Sequence, residues 1–238
     1  MYSKLIDHLF VDHRVQLAII PEFISFLAGR KNIIRIVNDN PDIPFKDDLF
    51  NQEGFHVSTS TLYCVDHGNF FGELQNTKEE ITSQSYSEVK MYSISRSIDY
   101  LKEFESAELY GDIEKAGHLL GYPSCCTKNI HNINSQKEQW ALYYLNDFKT
   151  HSKAIHDTNR FPISWGGISP IGELFPCSLI CKSAIEYSKN MKTDLLKLGL
   201  LRIAEMRDSH SKKSIYINSS TGEISFYNKV GYEEIKFY

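Results

Sequence analysis

Four of the five cysteines fall in two short stretches, Gly121-Tyr-Pro-Ser-Cys-Cys126 and Phe175-Pro-Cys-Ser-Leu-Ile-Cys181. Each pair follows a proline, a residue that a helix accepts in its first turn. Both pairs are therefore expected at helix N-termini, where unpaired N–H groups and the macrodipole favour negative charge such as that of a thiolate. Cys177 and Cys181 are four apart, so on a helix they would project from one face, one turn apart. Cys125 and Cys126 are adjacent and in a continuing helix diverge by about 100°. They can share a centre only where the backbone turns, as at a helix start after proline.

Four converging thiolates match an iron–sulfur cluster or a tetrahedral zinc site. The chain has neither the paired C-x-x-C knuckles usual for zinc nor the C-x-x-x-C-x-x-C triplet of radical SAM enzymes. A metal-free reading stands beside these, because cysteine is often simply core, and Cys126 and Cys177 could instead form a reversible disulfide or carry a persulfide. The expected metal ligands are Cys125, Cys126, Cys177 and Cys181, with Cys126 and Cys177 the thiols placed to do chemistry.

His118 and His131 flank the first cysteine pair and offer a fourth ligand or an acid–base group, His118 being the one assigned to the site. Residues Asn159 to Pro176 gather three of the seven prolines with Gly166, Gly167 and Gly172, a long irregular segment of the kind that carries function. It reads as a lid over the cysteines, with Trp165, Arg160 and Lys182 placed to hold an anionic small molecule. Trp165-Gly-Gly-Ile-Ser-Pro170 lacks the Lys-Ser/Thr of a phosphate loop. Asp66-His67-Gly68 is explained as well by a turn as by a catalytic pair, and Asp112 and Glu114 suit a helix start.

The formal net charge of −4 gives no general attraction to nucleic acid or to an anionic membrane. No apolar run approaches the length of a bilayer span, and Met1–His8 lacks the basic and long apolar regions of a signal peptide. A cytoplasmic protein acting on a small molecule is the expectation, with no nucleic-acid or membrane partner. In a reducing compartment paired cysteines point to metal or redox chemistry ahead of disulfides. Cys64, inside the apolar run Thr61-Leu-Tyr-Cys-Val-Asp66, is left out of the site.

Periodicity places helices over Tyr2–Phe10 and Pro21–Leu27, the latter stopped by Gly29. Strands follow at Ile33–Val37, Phe55–Ser60, Leu62–Asp66, Asn69–Leu74 and Glu88–Ser93. From Arg96 the pattern becomes helical, with Ile98, Leu101, Phe104 and Ala107, then Leu109, Ile113, Ala116 and Leu120 beyond a break at Gly111. Further helices are expected from Ser124 to about His131, around Gln139–Leu145, and from Pro176 onward with Ile180, Ala184, Tyr187, Met191, Leu195 and Leu198 on one face. Ser214–Asn218 and Glu223–Tyr227 predict a hairpin, and Tyr232–Tyr238 a third strand.

The fold class expected is α/β of the α+β kind: a small N-terminal mixed layer over 1–95, a helical cysteine-bearing centre over 96–212, and a C-terminal β-hairpin over 213–238, forming one compact unit. Tyr110-Gly-Asp112, His118-Leu-Leu-Gly-Tyr-Pro-Ser-Cys-Cys126 and Phe175-Pro-Cys-Ser-Leu-Ile-Cys181 resemble an uncharacterised prokaryotic domain family with L-L-G-Y-P-x-C-C and a later P-C-S-x-x-C. The resemblance spans roughly 110–191 and implies that both motifs belong to one site. This chain carries Phe175 where family members often have histidine. The function expected is that of a metalloprotein using an iron–sulfur cluster or another thiolate-bound metal for redox or sulfur chemistry on a small molecule. A zinc-stapled binding domain and a metal-free thiol protein are the alternatives.

Overall fold

In the computed structural model of the protein, the described residues are 2–8, 19–38, 45–65, 73–75, 86–134, 140–151, 171–172 and 174–237. They form nine helices and seven strands, a mixed α/β fold. The chain divides into two units, one of residues 1–15 and 32–105, the other of residues 16–31 and 106–238.

The first unit is built on an antiparallel sheet in the order β1-β4-β2-β3, with β1 at Ile33–Asn38, β2 at His56–Val65, β3 at Glu73–Gln75 and β4 at Tyr86–Ser95. The β-branched run of β1 pairs along β4 from Ile33↔Ser95 to Asn38↔Lys90. Within the central strand β4, residues Met91 to Ser95 are buried without alternation, as a strand covered on both faces requires. The two strands expected at Phe55–Ser60 and Leu62–Asp66 are one strand, because β2 pairs with β4 without interruption from His56↔Ser95 to Val65↔Tyr86. For the same reason β4 is longer than the Glu88–Ser93 expected. Of Asn69–Leu74, only Glu73 and Leu74 lie among the described residues, in β3.

Two short helices, α1 (Ser3–Asp7) and α3 (Asp47–Gln52), also belong to this unit. The second was not foreseen, although Asp47 and Asp48 in its first turn favour a helix start. Phe45 stacks on Tyr92 at 3.9 Å and on Phe50 at 5.1 Å, and His8 Nε2 accepts the Lys46 N–H at 3.1 Å. Helix α4 (Ile98–Leu109) follows, its buried Leu101 and Phe104 in this unit.

In the second unit, α2 (Ile20–Leu27) carries proline in its first turn and is buried along its whole length. It packs on α8 (Lys182–Lys197), where Ser25 Oγ donates to Asp194 at 3.1 Å and Arg30 Nε donates to it at 2.8 Å. Asp112 caps α5 (Ile113–Leu119) by accepting the Lys115 N–H. Helices α6 (Ser124–Asn134), α7 (Trp140–His151) and α9 (Leu201–Ser211) complete the helical part. Leu109 and Ile113, expected to continue an apolar face, are exposed.

The last strands are β5 (Ile215–Asn218), β6 (Ile224–Ser225) and β7 (Tyr232–Ile235), with β5 central. The β5–β6 turn is an Asx turn in which Asn218 Oδ1 accepts the Ser220 and Thr221 N–H groups. Ile215, Ile217, Ile235 and Phe237 of this sheet pack on Ala141, Tyr144 and Leu145 of α7 together with Leu179. The apolar centre read at Gln139–Leu145 thus meets the hairpin, and the same helix reaches the second cysteine stretch.

Candidate metal centre

The four cysteines meet within the second unit. Sγ of Cys125 lies 3.9 Å from that of Cys126 and 3.7 Å from that of Cys181, and Cys126 and Cys181 are 3.8 Å apart. Cys177 completes the group, all four sulfurs lying within 4.8 Å of one another. A set this close, with one donor atom each and the thiolate softness of cysteine, fits a metal ion.

The first arm is set by Gly121-Tyr-Pro123. Gly121 ends α5 at φ 77°, a left-handed conformation that favours glycine, and the Tyr122 N–H returns to the Gly117 carbonyl at 3.0 Å. Pro123 then opens α6, its carbonyl accepting the N–H groups of Cys126 at 2.8 Å and Thr127 at 3.1 Å. Both cysteines lie in that first turn, as expected, and their sulfurs stay in contact across it.

The second arm corrects the sequence reading. No helix starts at Pro176, and α8 begins only at Lys182 with Cys181 as its N-cap. Residues Cys177 to Ile180 form a turn held by α7. Tyr144 Oη donates to the Pro176 carbonyl at 2.7 Å and Tyr143 Oη donates to the Cys177 carbonyl at 2.6 Å. The Asp147 carboxylate accepts the Ser178 hydroxyl at 3.0 Å and the Leu179 N–H at 2.7 Å. These bonds from α7 hold residues 177–180 in a turn, and the helix opens only after it. Cys177 and Cys181 therefore converge from a turn and a cap, not from one helix face. On α8, Ala184, Met191 and Leu195 face inward as expected and Tyr187 is half-buried; Ile180 and Leu198 are exposed and Ser188 and Asp194 are buried instead.

Backbone donors reach the sulfurs, since Cys177 N–H points to Cys126 Sγ and Ala184 N–H to Cys181 Sγ, each at 3.4 Å. Without a cation Cys126, Cys177 and Cys181 share protons unequally. Hydrogen bonds from Cys126 and Cys177, with that of the Ala184 N–H, hold the Cys181 thiol down at about 2 against its burial. For Cys126, hydrogen bonding to Cys177 and Cys181 and then burial raise the thiol far above its ordinary range. The bond from Cys126 lowers Cys177, but its bond to Cys181, burial and neighbouring thiolate charge outweigh this and push it up to about 12. Four thiolates this close ionise together only when a cation replaces their protons.

Burial raises the Tyr143 and Tyr144 hydroxyls, which keeps them protonated and donating. Cys126 packs with Ile171, Leu174 and Ala184 in a small apolar cluster bordered by Tyr122, Cys177, Cys181 and Tyr187. Beside that cluster is a buried polar network that the sequence reading missed. Lys31 Nζ donates to Glu22 Oε2 and to Tyr187 Oη, each at 3.0 Å, and lies 4.6 Å from the Tyr122 ring centroid. Tyr122 Oη donates to Glu22 Oε1 at 3.3 Å. A glutamate inside the largely apolar stretch Ile20-Pro-Glu-Phe-Ile-Ser-Phe-Leu27 was the available signal.

Of the other expected site residues, His118 is exposed in the last turn of α5 and outside the group of four, and Lys182 is exposed at the start of α8. Arg160, Trp165, the His131 side chain, Asp66-His67-Gly68 and most of the Asn159–Pro176 segment lie outside the described residues. The backbone of Cys64 runs in β2, within the other unit. Among the described residues no helix is long and apolar enough to cross a membrane. No protein-family model, curated protein or solved structure matches this chain.

The Asp147 staple gives a direct expectation. Asp147→Asn should weaken metal binding roughly 10- to 100-fold, the range typical of groups that orient metal ligands, while leaving the helical circular dichroism intact. Competition with a chelator of known affinity measures this, and an unchanged affinity would show that α7 does not position Cys177.

Proposed function

We propose that Cys125, Cys126, Cys177 and Cys181 bind one metal ion, zinc, as a structural centre. The observation that carries this reading is the sulfur spacing. Four sulfurs arranged tetrahedrally at the zinc–thiolate bond length of about 2.3 Å are about 3.8 Å apart, and the pairs among Cys125, Cys126 and Cys181 are 3.7, 3.8 and 3.9 Å apart, with Cys177 within 4.8 Å of each. Thiolates bound to different irons of a cluster spread well beyond the 4.8 Å that spans this group. The spacing therefore favours a single ion over the iron–sulfur cluster expected from the sequence.

Four protein thiolates fill a tetrahedral ion's coordination and leave no position for substrate, which supports a staple in preference to a catalytic metal. The ion would tie the start of α6 to a turn and a helix cap some 51 residues further along the chain. Metal binding to such a set is folding free energy, because the ligands are not gathered in the unfolded chain. The resemblance to the family with L-L-G-Y-P-x-C-C and P-C-S-x-x-C motifs extends the proposal: chains sharing both motifs would bind one ion each. Cobalt(II) titration of the reduced metal-free chain tests the geometry. The expected result is intense thiolate-to-cobalt absorption saturating at one cobalt per chain and bleached by zinc. A weak spectrum of octahedral cobalt would contradict a tetrathiolate site.

A further inference from the structure

The four cysteines differ in their exposure to solvent. Cys125 is exposed, Cys177 and Cys181 are half-buried, and Cys126 is 1% exposed beneath Ile171 and Leu174. A staple whose only role is to hold the fold gains nothing from one open ligand, whereas a thiolate at the surface of a metal centre remains a nucleophile that soft oxidants can reach.

We infer that Cys125 is the oxidation site of this centre, and that a peroxide converts Cys125 and Cys181 to a disulfide and expels the metal. The inference rests on the tetrathiolate reading above. In the first step the Cys125 sulfur attacks one peroxide oxygen, the O–O bond breaks, and the departing hydroxide takes a solvent proton to become water. Cys125 is left as sulfenic acid. In the second step a neighbouring thiolate attacks that sulfur, the S–O bond breaks, and a second hydroxide leaves as water with another solvent proton. The two sulfurs together give up two electrons and the peroxide is reduced to two waters.

Geometry selects the resolving thiol. Cys126 adjoins Cys125, and adjacent α-carbons across a trans peptide are only about 3.8 Å apart, short of the minimum of about 4.4 Å that a disulfide ordinarily spans. Cys181 is 56 residues away in the chain, its sulfur is 3.7 Å from that of Cys125, and it sits at a helix cap with extended backbone. Its partner, Cys125, stands in the first turn of α6. The bond formed would join the same two elements that the ion joins, so expulsion of the metal leaves the tie between α6 and α8 in place. Cys126 and Cys177 remain as two ligands, too few to retain zinc against a chelator.

The test uses the full wild-type chain, loaded with zinc and assayed for zinc before oxidation. It is treated with hydrogen peroxide in the presence of a metallochromic chelator, quenched with iodoacetamide at intervals, and mapped by mass spectrometry without reduction. The expected result is that zinc reaches the chelator with the same half-time as the linked Cys125–Cys181 peptide forms, and that dithiothreitol restores both thiols and zinc binding. Zinc that stays bound after Cys125 is oxidised, or first oxidation at Cys126 or Cys177, overturns this inference while leaving the zinc staple standing. A reduced chain that holds no zinc before peroxide overturns both.

Discussion

Cys126→Ser is expected to remove metal binding and to lower the melting temperature of the chain by roughly 6–12 °C. The structural zinc of small domains contributes about 10–16 kcal/mol in apparent binding free energy, of which about 3 kcal/mol is expected to register as stability of this larger fold, because its protonated thiols still pack together when the ion is gone. For a chain of this length each kcal/mol moves the midpoint by roughly 2–4 °C. Cys126 is the ligand to change, because it is buried, accepts the Cys177 N–H, and touches the sulfurs of both Cys125 and Cys181. Differential scanning calorimetry with and without chelator measures the effect. The wild type should fall to the variant's midpoint when its metal is stripped, and the variant should be indifferent to chelator. A wild type whose melting is unchanged by chelation would mean that the thiols contribute through packing alone.

The second large effect is expected away from the sulfurs. Lys31→Met should cost about 3–5 kcal/mol, the range for breaking a buried ion pair from one side. Lys31 and Glu22 are both 2% exposed, and removal of the ammonium leaves the Glu22 carboxylate in a low-dielectric setting without its cation. Gly172 comes so close to this carboxylate that a Cβ there would meet Glu22 Oε1 at 2.1 Å, so the surroundings have little room to relax. The double change Glu22→Gln with Lys31→Met removes both charges and should recover at least half of the loss. Urea denaturation followed by tryptophan fluorescence gives the four corners of the cycle. If the double variant is no more stable than Lys31→Met alone, the charge pair is not the source of the cost.

The cysteine constellation was legible because it depended on residue types whose alternatives are few. Gly121 and Pro123 around a single tyrosine announced one helix ending and another beginning, and both occur there. The second stretch was misread for a reason that local sequence does not contain. Pro176 suits a helix start, but Asp147, 31 positions earlier than Ser178, accepts the Ser178 hydroxyl and helps hold a turn there, and the helix opens only at Lys182. Tyr143 and Tyr144 read as parts of the apolar centre Gln139–Leu145, and their role, with that of Asp147, emerges only when α7 lies beside the turn. Lys31 and Glu22 were missed for a related reason, since charged residues are read as surface until a partner is known to be buried with them, although Glu22 stands in a largely apolar run. The sequence places two strands at Phe55–Ser60 and Leu62–Asp66, on either side of Thr61 at the end of the polar run Ser58–Thr61. The ladder to β4 runs through that run because backbone pairing does not require apolar side chains.

Metal and acid-labile sulfide analysis of protein purified without oxygen tests the central claim most directly. The account predicts a colourless protein with one zinc per chain, no labile sulfide, and zinc absorption-edge scattering from four sulfurs at about 2.3 Å. A brown protein carrying several irons and matching sulfide would contradict it, and so would a fully reduced chain that binds no metal at all.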